Sequence, residues 1–193
     1  MWVVKLGGSL HGAVALRPRL AELASVPGPP RIVVPGGGPF ADAVREIQPR
    51  LGFDDLAAHR MAILAMQQYG LALQSLEPRL KLAQTEVELR AAHASIWLPW
   101  AMVGLESQIE PSWAVTSDSL AVWLATQLGA EMLILVKSAP LPAGEMSSRE
   151  LARAGLVDRA FPEHARRFGG VIKITHRDTP LPGEPHLRVR DES

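Results

Sequence analysis

The chain has 193 residues, of which 47% are hydrophobic, and its 20 acidic residues balance its 20 lysines and arginines. This length and composition are typical of one globular domain, and the balanced charge excludes the basic excess that a nucleic-acid partner requires. The absence of cysteine excludes disulfide bonds and thiolate metal sites. No segment has the length of a membrane span or the pattern of a signal peptide, so we expect a cytoplasmic protein without a membrane partner.

The first half of the chain alternates between strand-like and helix-like segments. We predict strands where short β-prone runs end at glycine or proline, and helices where apolar residues recur at helical spacing. In chain order the predictions are a strand at residues 2–6, a helix with Pro18 in its first turn, a strand at 31–34, a helix at 40–51 and a helix from Asp54 or Asp55 to Leu76.

The second half continues this alternation after an ambiguous stretch, residues 81–94, which we predict to be partly helical. The remaining predictions are a strand at 94–98, a helix at 117–128, a strand at 131–136, a helix capped by Ser148 and a strand at 170–175. Because strands alternate with helices, we predict a three-layer α/β fold with a mainly parallel sheet and helices on both faces. We expect residues 1–193 to form one domain.

Two short glycine-rich turns follow the first two predicted strands and are candidate phosphate sites. Glycine lets backbone N–H groups approach an anion closely, and a helix behind the second turn favours negative charge. Adjacent parallel strands would place both turns at one sheet edge, facing each other across a transferred phosphoryl group. Local sequence equally allows both to be plain tight turns. The candidate phosphate-binding residues are Gly7, Gly8, Ser9, Gly36, Gly37 and Gly38.

Three charged residues accompany these turns. Lys5 and Lys137 end predicted strands, and Asp118 lies in a Thr-Ser-Asp cluster that opens the helix at 117–128. A carboxylate at the same sheet edge could orient the two lysines and keep them charged. The alternatives are an ordinary helix-cap cluster around Asp118 and a lysine at position 137 that extends along the sheet surface to water.

In their order and spacing these residues resemble the amino-acid kinase superfamily. The resemblance rests on residues 5–9, on residues 34–38 and on Asp118 in a helix leading to the strand at 131–136, and it spans residues 1–138. It implies a kinase that uses ATP and Mg²⁺, with the metal carried by phosphates rather than by protein ligands. Lys5 and Asp118 would be catalytic, and Lys137 and Ser138 would bind the nucleotide.

A narrower resemblance is to the branch that contains the [5-(aminomethyl)furan-3-yl]methyl phosphate kinases of C1-carrier cofactor biosynthesis. It implies a small acceptor that already carries a phosphate and is extended to a diphosphate. His59, Thr116 and Ser117 would bind this acceptor, although His59 could equally be a satisfied buried histidine. Ala114 departs from the branch, where we expect an acidic residue. The segments that carry the resemblance are residues 59–70, 96–99, 112–119, 135–138 and 155–162.

The resemblance also divides the chain into an acceptor and phosphate half, residues 1–130, and a shortened nucleotide half, residues 131–193. Two other functions stay open: a non-catalytic anion-binding, nucleotide-binding or storage protein, and a kinase of another small phosphate or carboxylate. The resemblance also implies a homodimer, because relatives commonly pair through the helix that matches residues 56–76, and the apolar residues of this helix spread over more than one face. A monomer stays open. Trp113 is expected in the core or at an interface rather than as a stacking platform.

Overall fold

The computed structural model describes residues 1–25, 27–105, 109–181 and 187–190, and its central feature is a sheet of eight strands. The strands are β1 (Trp2–Leu6), β2 (Arg31–Pro35), β3 (Lys81–Ala83), β4 (Ala94–Trp97), β5 (Met132–Lys137), β6 (Gly144–Ser147), β7 (Val171–His176) and β8 (Leu187–Arg190). Their order across the sheet is β3-β4-β2-β1-β5-β7-β8-β6. Neighbouring strands are parallel except β7 and β8, so the predicted mainly parallel sheet is confirmed.

Helices connect most of the strands. They are α1 (Leu16–Ser25), α2 (Gly38–Leu51), α3 (Asp55–Leu76), α4 (Glu86–Ala91), α5 (Trp100–Val103), α6 (Ser117–Leu128), α7 (Ser148–Arg153) and α8 (Phe161–Ala165). A short 3-10 turn, Gly8–Leu10, follows β1. None of the helices in the described ranges combines the length and the apolar character that a membrane crossing needs.

The sheet is covered on both faces, and each face has its own hydrophobic core. Along β1, Val3 belongs to one core and Val4 to the other, because successive side chains of a strand point to opposite faces. The first core includes Leu120 and Leu124 of α6, whereas the second includes Leu20 of α1. The long helix α3 contributes to both cores. The predicted layers of helices therefore lie on the two faces of the sheet.

Side-chain caps and glycines set the ends of the long helices. Asp54 caps α3 by accepting a hydrogen bond of 2.8 Å from the Ala57 N–H. Gly52 and Gly129 end α2 and α6 in the left-handed conformation, with φ of 74° and 60°. These signals are local in sequence, and for this reason the predicted bounds of α2, α3 and α6 agree with the structure to within two residues at each end.

The sequence patterns failed at short elements. The prediction that 81–94 is partly helical is confirmed by α4, but the strand β3 before it, the helices α5 and α8, and the strands β6 and β8 were not predicted. These elements have three to six residues, too few for a periodic pattern, and β3 and β6 are edge strands with largely exposed side chains. The prediction of Ser148 as a cap was also wrong. The cap of α7 is Ser147, whose hydroxyl accepts from the N–H of Glu150, three residues on.

Candidate functional site

Three parallel strands in the middle of the sheet end at one edge. β1 lies between β2 and β5, and Leu6 pairs with Pro35 on one side and with Val136 on the other. The residues that follow these strands therefore meet at the carboxyl edge, where open α/β sheets bind ligands. The sequence-predicted residues at this edge are Gly7, Gly8, Ser9, Gly36, Gly37, Gly38, Lys137 and Ser138.

Asp118, in the first turn of α6, lies between two lysines at this edge. Its Oδ1 atom is 2.8 Å from the Nζ of Lys5, and its Oδ2 accepts a hydrogen bond of 2.7 Å from the Nζ of Lys137. The side chains of Lys5, Asp118 and Lys137 are only 7%, 8% and 13% exposed, so water screens these charges weakly. We call these three residues the lysine–aspartate triad.

Burial and charge oppose each other within the triad. Burial by itself raises the pKa of Asp118, but the ammonium groups of Lys5 and Lys137 outweigh it and hold that pKa well below its ordinary value. For Lys137, burial and then the positive charge of Lys5 lower the pKa to about 8, although Asp118 and Asp158 oppose the shift. Asp118 is therefore ionised at neutral pH, whereas Lys137 loses its proton in mildly basic solution.

The two glycine turns are in direct backbone contact beside the triad. A Cβ atom on Gly8 would lie 2.4 Å from the nitrogen of Gly38, and one on Gly36 would lie 2.3 Å from the nitrogen of Gly8. No side chain fits at these distances, so the close approach itself requires glycine. A Cβ atom on Gly7 would lie 3.6 Å from the Nζ of Lys5, which places the first turn next to the triad.

Ser9 and Ser138 join the first glycine turn to the end of β5. Their hydroxyl oxygens are 2.8 Å apart. The carbonyl oxygen of Ser138 is also 3.3 Å from the Nε2 of His176, at the end of β7. The structure thus brings a residue predicted to bind phosphate next to one predicted to bind nucleotide.

A cavity of about 420 Å³ opens beside the glycine turns. Its volume is in the range of small-molecule sites, roughly 300–1,000 Å³. Its walls come from the two glycine turns, α2, α3 and the start of α6. The sequence-predicted residues on its walls are Gly8, Ser9, Gly37, Gly38, His59, Thr116 and Ser117.

His59, on the α3 wall of the cavity, is 9% exposed, and its Nε2 has no hydrogen-bond partner among the described residues. Burial, together with the neighbouring Arg60 cation, lowers the pKa of His59, so the ring is neutral at pH 7. A buried polar nitrogen without a partner is costly unless a ligand or water satisfies it. His59 is therefore not the fully hydrogen-bonded buried histidine that the sequence equally allowed, and its acceptor-side role stays a prediction.

Sequence reasoning missed the outer wall of the cavity. The guanidinium of Arg45 lies 4.4 Å from the centre of the Trp113 ring, and the Nε1 of Trp113 donates a hydrogen bond of 2.6 Å to Gln48. Asp42, on the same wall, is 3.3 Å from Arg45. Trp113 therefore lines the cavity rather than the core. The sequence did offer one signal for this wall. Asp42 and Arg45 are three residues apart on a predicted helix, so their side chains are expected to be neighbours.

Asp158 is the other residue that sequence reasoning missed. It lies between α7 and α8, and it accepts hydrogen bonds of 2.8 and 2.7 Å from the N–H and the hydroxyl of Thr116. It also accepts from the N–H of Ser119 at 3.0 Å and from the Ser119 hydroxyl. These partners are 42 and 39 residues away in sequence. In sequence, Asp158 was marked only by its place in the segment 155–162, which carries part of the family resemblance. That resemblance assigned no role to Asp158.

Comparison with known proteins adds an independent observation. Residues 1–140 match the model of a family described as the amino acid kinase family. The chain is 27% identical to the [5-(aminomethyl)furan-3-yl]methyl phosphate kinase of Methanocaldococcus jannaschii over 181 residues, which cover 87% of this chain and 84% of that protein.

Solved structures of kinases share the fold. The uridylate kinase of Archaeoglobus fulgidus has a TM-score of 0.75 at 17% identity, over 98% of this chain and 99% of that one. The UMP kinase of Bacillus anthracis has a TM-score of 0.74 at 14% identity, over 100% of this chain and 96% of that one. Both similarities include the C-terminal half of the sheet, which the family match does not cover.

The contact between the glycine turns predicts a large cost for a side chain at Gly8. We expect Gly8→Ala to lower the free energy of unfolding by about 1–3 kcal/mol or more, because the new Cβ overlaps the backbone of Gly38. Gly12→Ala is the matched control, since a Cβ there meets nothing within 4 Å, and its effect should stay within about 1 kcal/mol. Urea denaturation measures both, and equal stabilities would contradict the backbone contact.

The triad predicts that Asp118→Asn is strongly destabilising. The substitution leaves two neighbouring buried ammonium groups without a counter-charge, a change that costs about 3–5 kcal/mol. Adding Lys137→Met to Asp118→Asn should recover part of this loss, because one of the uncompensated charges is removed. Urea denaturation of the single and double variants at pH 7 tests this. A double variant less stable than Asp118→Asn would mean that the charges are not coupled.

Proposed function

The chain belongs to the amino acid kinase family, and we propose that it transfers the terminal phosphoryl group of ATP to the phosphate of an aminomethylfuran methyl phosphate. The product would be the corresponding diphosphate, a step in the synthesis of a C1-carrier cofactor. The relative of known activity, at 27% identity, supports this acceptor. The observation that carries the proposal is the lysine–aspartate triad beside two glycine turns and an acceptor-sized cavity.

The proposed chemistry needs charge neutralisation and positioning rather than a general base. A phosphate monoester has a second pKa of about 6, so at neutral pH the acceptor is already a nucleophile. One of its oxygens bonds to the γ-phosphorus, the bond from that phosphorus to the bridging oxygen breaks, and ADP leaves. Lys5 would stabilise the charge on the transferred group, with the N–H groups of Gly8 and Gly37 as further donors. Asp118 would hold Lys5 and Lys137 in place.

The residues of the site fit a magnesium ion that enters with the nucleotide. Among the described residues, no group of three His, Cys, Asp or Glu side chains could hold a metal ion. Both oxygens of Asp118 are already within 2.8 Å of a lysine. We therefore propose that the ATP phosphates and water supply the magnesium ligands, as the octahedral preference of this ion allows. The ion would neutralise phosphate charge together with Lys137.

The cavity supports one orientation of the acceptor. Its inner end has the glycine turns for the phosphate, whereas its outer wall has the carboxylate of Asp42 for the aminomethyl cation. Asp42 is four residues after Gly38 in α2, about 6 Å along the helix axis. An acceptor with one small ring between its phosphate and its aminomethyl group suits the separation of Gly38 and Asp42. The Nε2 of His59, which has no hydrogen-bond partner in the described ranges, and the hydroxyl of Ser117 are further groups for the acceptor.

The two halves of the chain would divide the substrates between them. The described residues that line the cavity all come from positions 8–120, so we propose that residues 1–130 bind the acceptor. We propose that residues 131–193 bind the nucleotide, through Lys137 and Ser138 at the end of β5. The triad joins the halves, because Lys137 contacts Asp118 across this boundary.

We also propose that the protein pairs through α3. Leu56, Leu64 and Leu71 on this helix are 43%, 39% and 51% exposed, and their spacing of eight and seven residues places them on one helix face. Light scattering of the purified protein should give the mass of two chains, and Leu64→Glu should shift it to one. A single-chain mass for the wild-type protein would contradict this arrangement.

The direct test is an assay with Mg-ATP and the aminomethylfuran methyl phosphate, followed by ³¹P NMR. We expect a diphosphate product, and Lys5→Ala should lower kcat by about 10²–10⁴-fold because it removes a group that stabilises the transition state. A lysine outside the site, Lys81, supplies the matched control, and Lys81→Ala should keep the wild-type rate. Nucleotide binding without turnover of any acceptor would indicate a non-catalytic binding protein.

An analogue that lacks the positive charge of the aminomethyl group tests the identity of the acceptor. An analogue with a methyl group in place of the aminomethyl group should react with a higher KM in the wild-type enzyme. Asp42→Asn should remove this preference, whereas Glu46→Gln, one turn further along α2 and off the cavity wall, should keep it. Faster turnover of isopentenyl phosphate, of UMP or of a carboxylate would instead assign a different acceptor.

A further inference from the structure

We propose that Asp158 is a positioning residue of the phosphoryl-transfer site, which holds Asp118 of the triad in place through the first turn of α6. This inference rests on the proposed function. Asp158 comes from the C-terminal half of the chain, beyond the residues that match the family. Its carboxylate accepts hydrogen bonds from residues that flank Asp118 rather than from the lysines of the triad. Its effect on the reaction would therefore be indirect.

Asp158 contacts residues on both sides of Asp118 in the chain. Its Oδ2 accepts from the N–H groups of Thr116 and Ser119 at 2.8 and 3.0 Å, and Asp118 lies between these two residues in the chain. The hydroxyl groups of Thr116 and Ser119 donate to the same carboxylate. The Thr116 hydroxyl in turn accepts from the N–H of Asp118 at 3.4 Å. A shift of Asp158 would therefore move the backbone that carries Asp118.

Asp158 also occupies part of the anion-binding capacity at the start of α6. A helix N-terminus attracts anions, because its first N–H groups lack partners within the helix. Here the Asp158 carboxylate already satisfies the N–H groups of Thr116 and Ser119. Two of the donors at this helix end are therefore already bonded, and the first turn of α6 presents Asp118 to the two lysines.

The segment around Asp158 is itself fixed at three further points. The Phe161 N–H donates to Asp158 Oδ1 at 2.9 Å and to the Asp158 carbonyl oxygen at 3.2 Å. The Ala160 N–H donates to the carbonyl oxygen of Ala114 at 3.1 Å. The side chain of Phe161 is fully buried in the core that includes α6. Asp158 is thus anchored on its own side as well as at α6.

Asp158 acts on the triad through charge as well. The charged or titratable groups that face Lys137 are Lys5 on β1, Asp118 on α6, His176 as its register partner on β7, and Asp158. Asp158 raises the pKa of Lys137 against the effects of burial and of Lys5. Its removal should let Lys137 lose its proton at lower pH, and the basic limb of the rate profile should move in the same direction.

The kinetic test compares Asp158→Asn and Asp158→Ala with a variant that loses an equivalent cap elsewhere. Thr85 caps α4 through its side chain, far from the triad in the sheet order, so Thr85→Ala is the matched control. We expect the Asp158 variants to lose about 10²-fold in kcat, the size of effect that a misplacement near 1 Å produces. Thr85→Ala should lose stability and keep kcat.

A second readout does not depend on turnover. The chain has four lysines, Lys5, Lys81, Lys137 and Lys173, so ¹³C-lysine NMR resolves the titration of each one, with Lys137→Arg as the assignment control. The wild-type Lys137 signal should titrate with a pKa of about 8, and at lower pH in Asp158→Asn, but not in Thr85→Ala. This measurement stands even if the proposed acceptor is wrong, which separates the failure of one proposal from that of the other.

The proposal is overturned if both Asp158 variants keep the wild-type kcat and the wild-type Lys137 titration while losing stability as Thr85→Ala does. Asp158 would then be a structural cap only. If Asp158→Ala does not fold, Asp158→Asn carries the test, because the amide keeps the size of the side chain and can still accept a hydrogen bond. Recovery of kcat in Asp158→Glu would support positioning by the carboxylate.

Discussion

Two ammonium groups lie close together in a largely buried site, and one carboxylate between them makes this possible. Taking a charge out of water costs free energy that only a well-placed counter-charge returns. Asp118 supplies that charge to Lys5 and Lys137 at once, with both contacts at 2.8 Å or less. Because the three residues are on β1, α6 and β5, the interaction also requires the middle of the sheet and α6 to be in place.

The parallel register explains why the other site residues gather around this interaction. β1, β2 and β5 run in one direction, so the turns after them emerge at one edge. Gly8 and Gly36 then allow the backbones of two turns to touch, which side chains would prevent. The backbone N–H groups of the glycine turns therefore lie near the ammonium groups of Lys5 and Lys137, and the cavity opens next to these turns. The arrangement is suited to phosphates on both sides of a transferred group.

The C-terminal half of the chain supports the site as well as extending the sheet. Its Asp158 carboxylate is held by the first turn of α6, and its strands β7, β8 and β6 extend the sheet beyond β5. The similarity to solved uridylate and UMP kinases extends over this half as well. The fold that this chain shares with those kinases therefore includes its C-terminal half.

The sequence by itself determined the features that depend on neighbours along the chain. The long helices, the central strands and the two glycine turns follow from periodicity, caps and turn residues, and the family resemblance followed from the same segments. The candidate residues Lys5, Asp118 and Lys137 were also visible in sequence, because the two lysines end apolar runs and Asp118 lies in a polar cluster that opens a helix.

Only the tertiary structure decided which of these residues touch. The pairing of Asp158 with Thr116 joins positions 42 residues apart, and no local pattern specifies such a partner. The same holds for Trp113, whose place on the cavity wall depends on its contacts with Arg45 and Gln48 of α2. Short edge elements such as β3 are likewise set by the neighbouring strand, since three residues have too little periodicity to determine their own conformation.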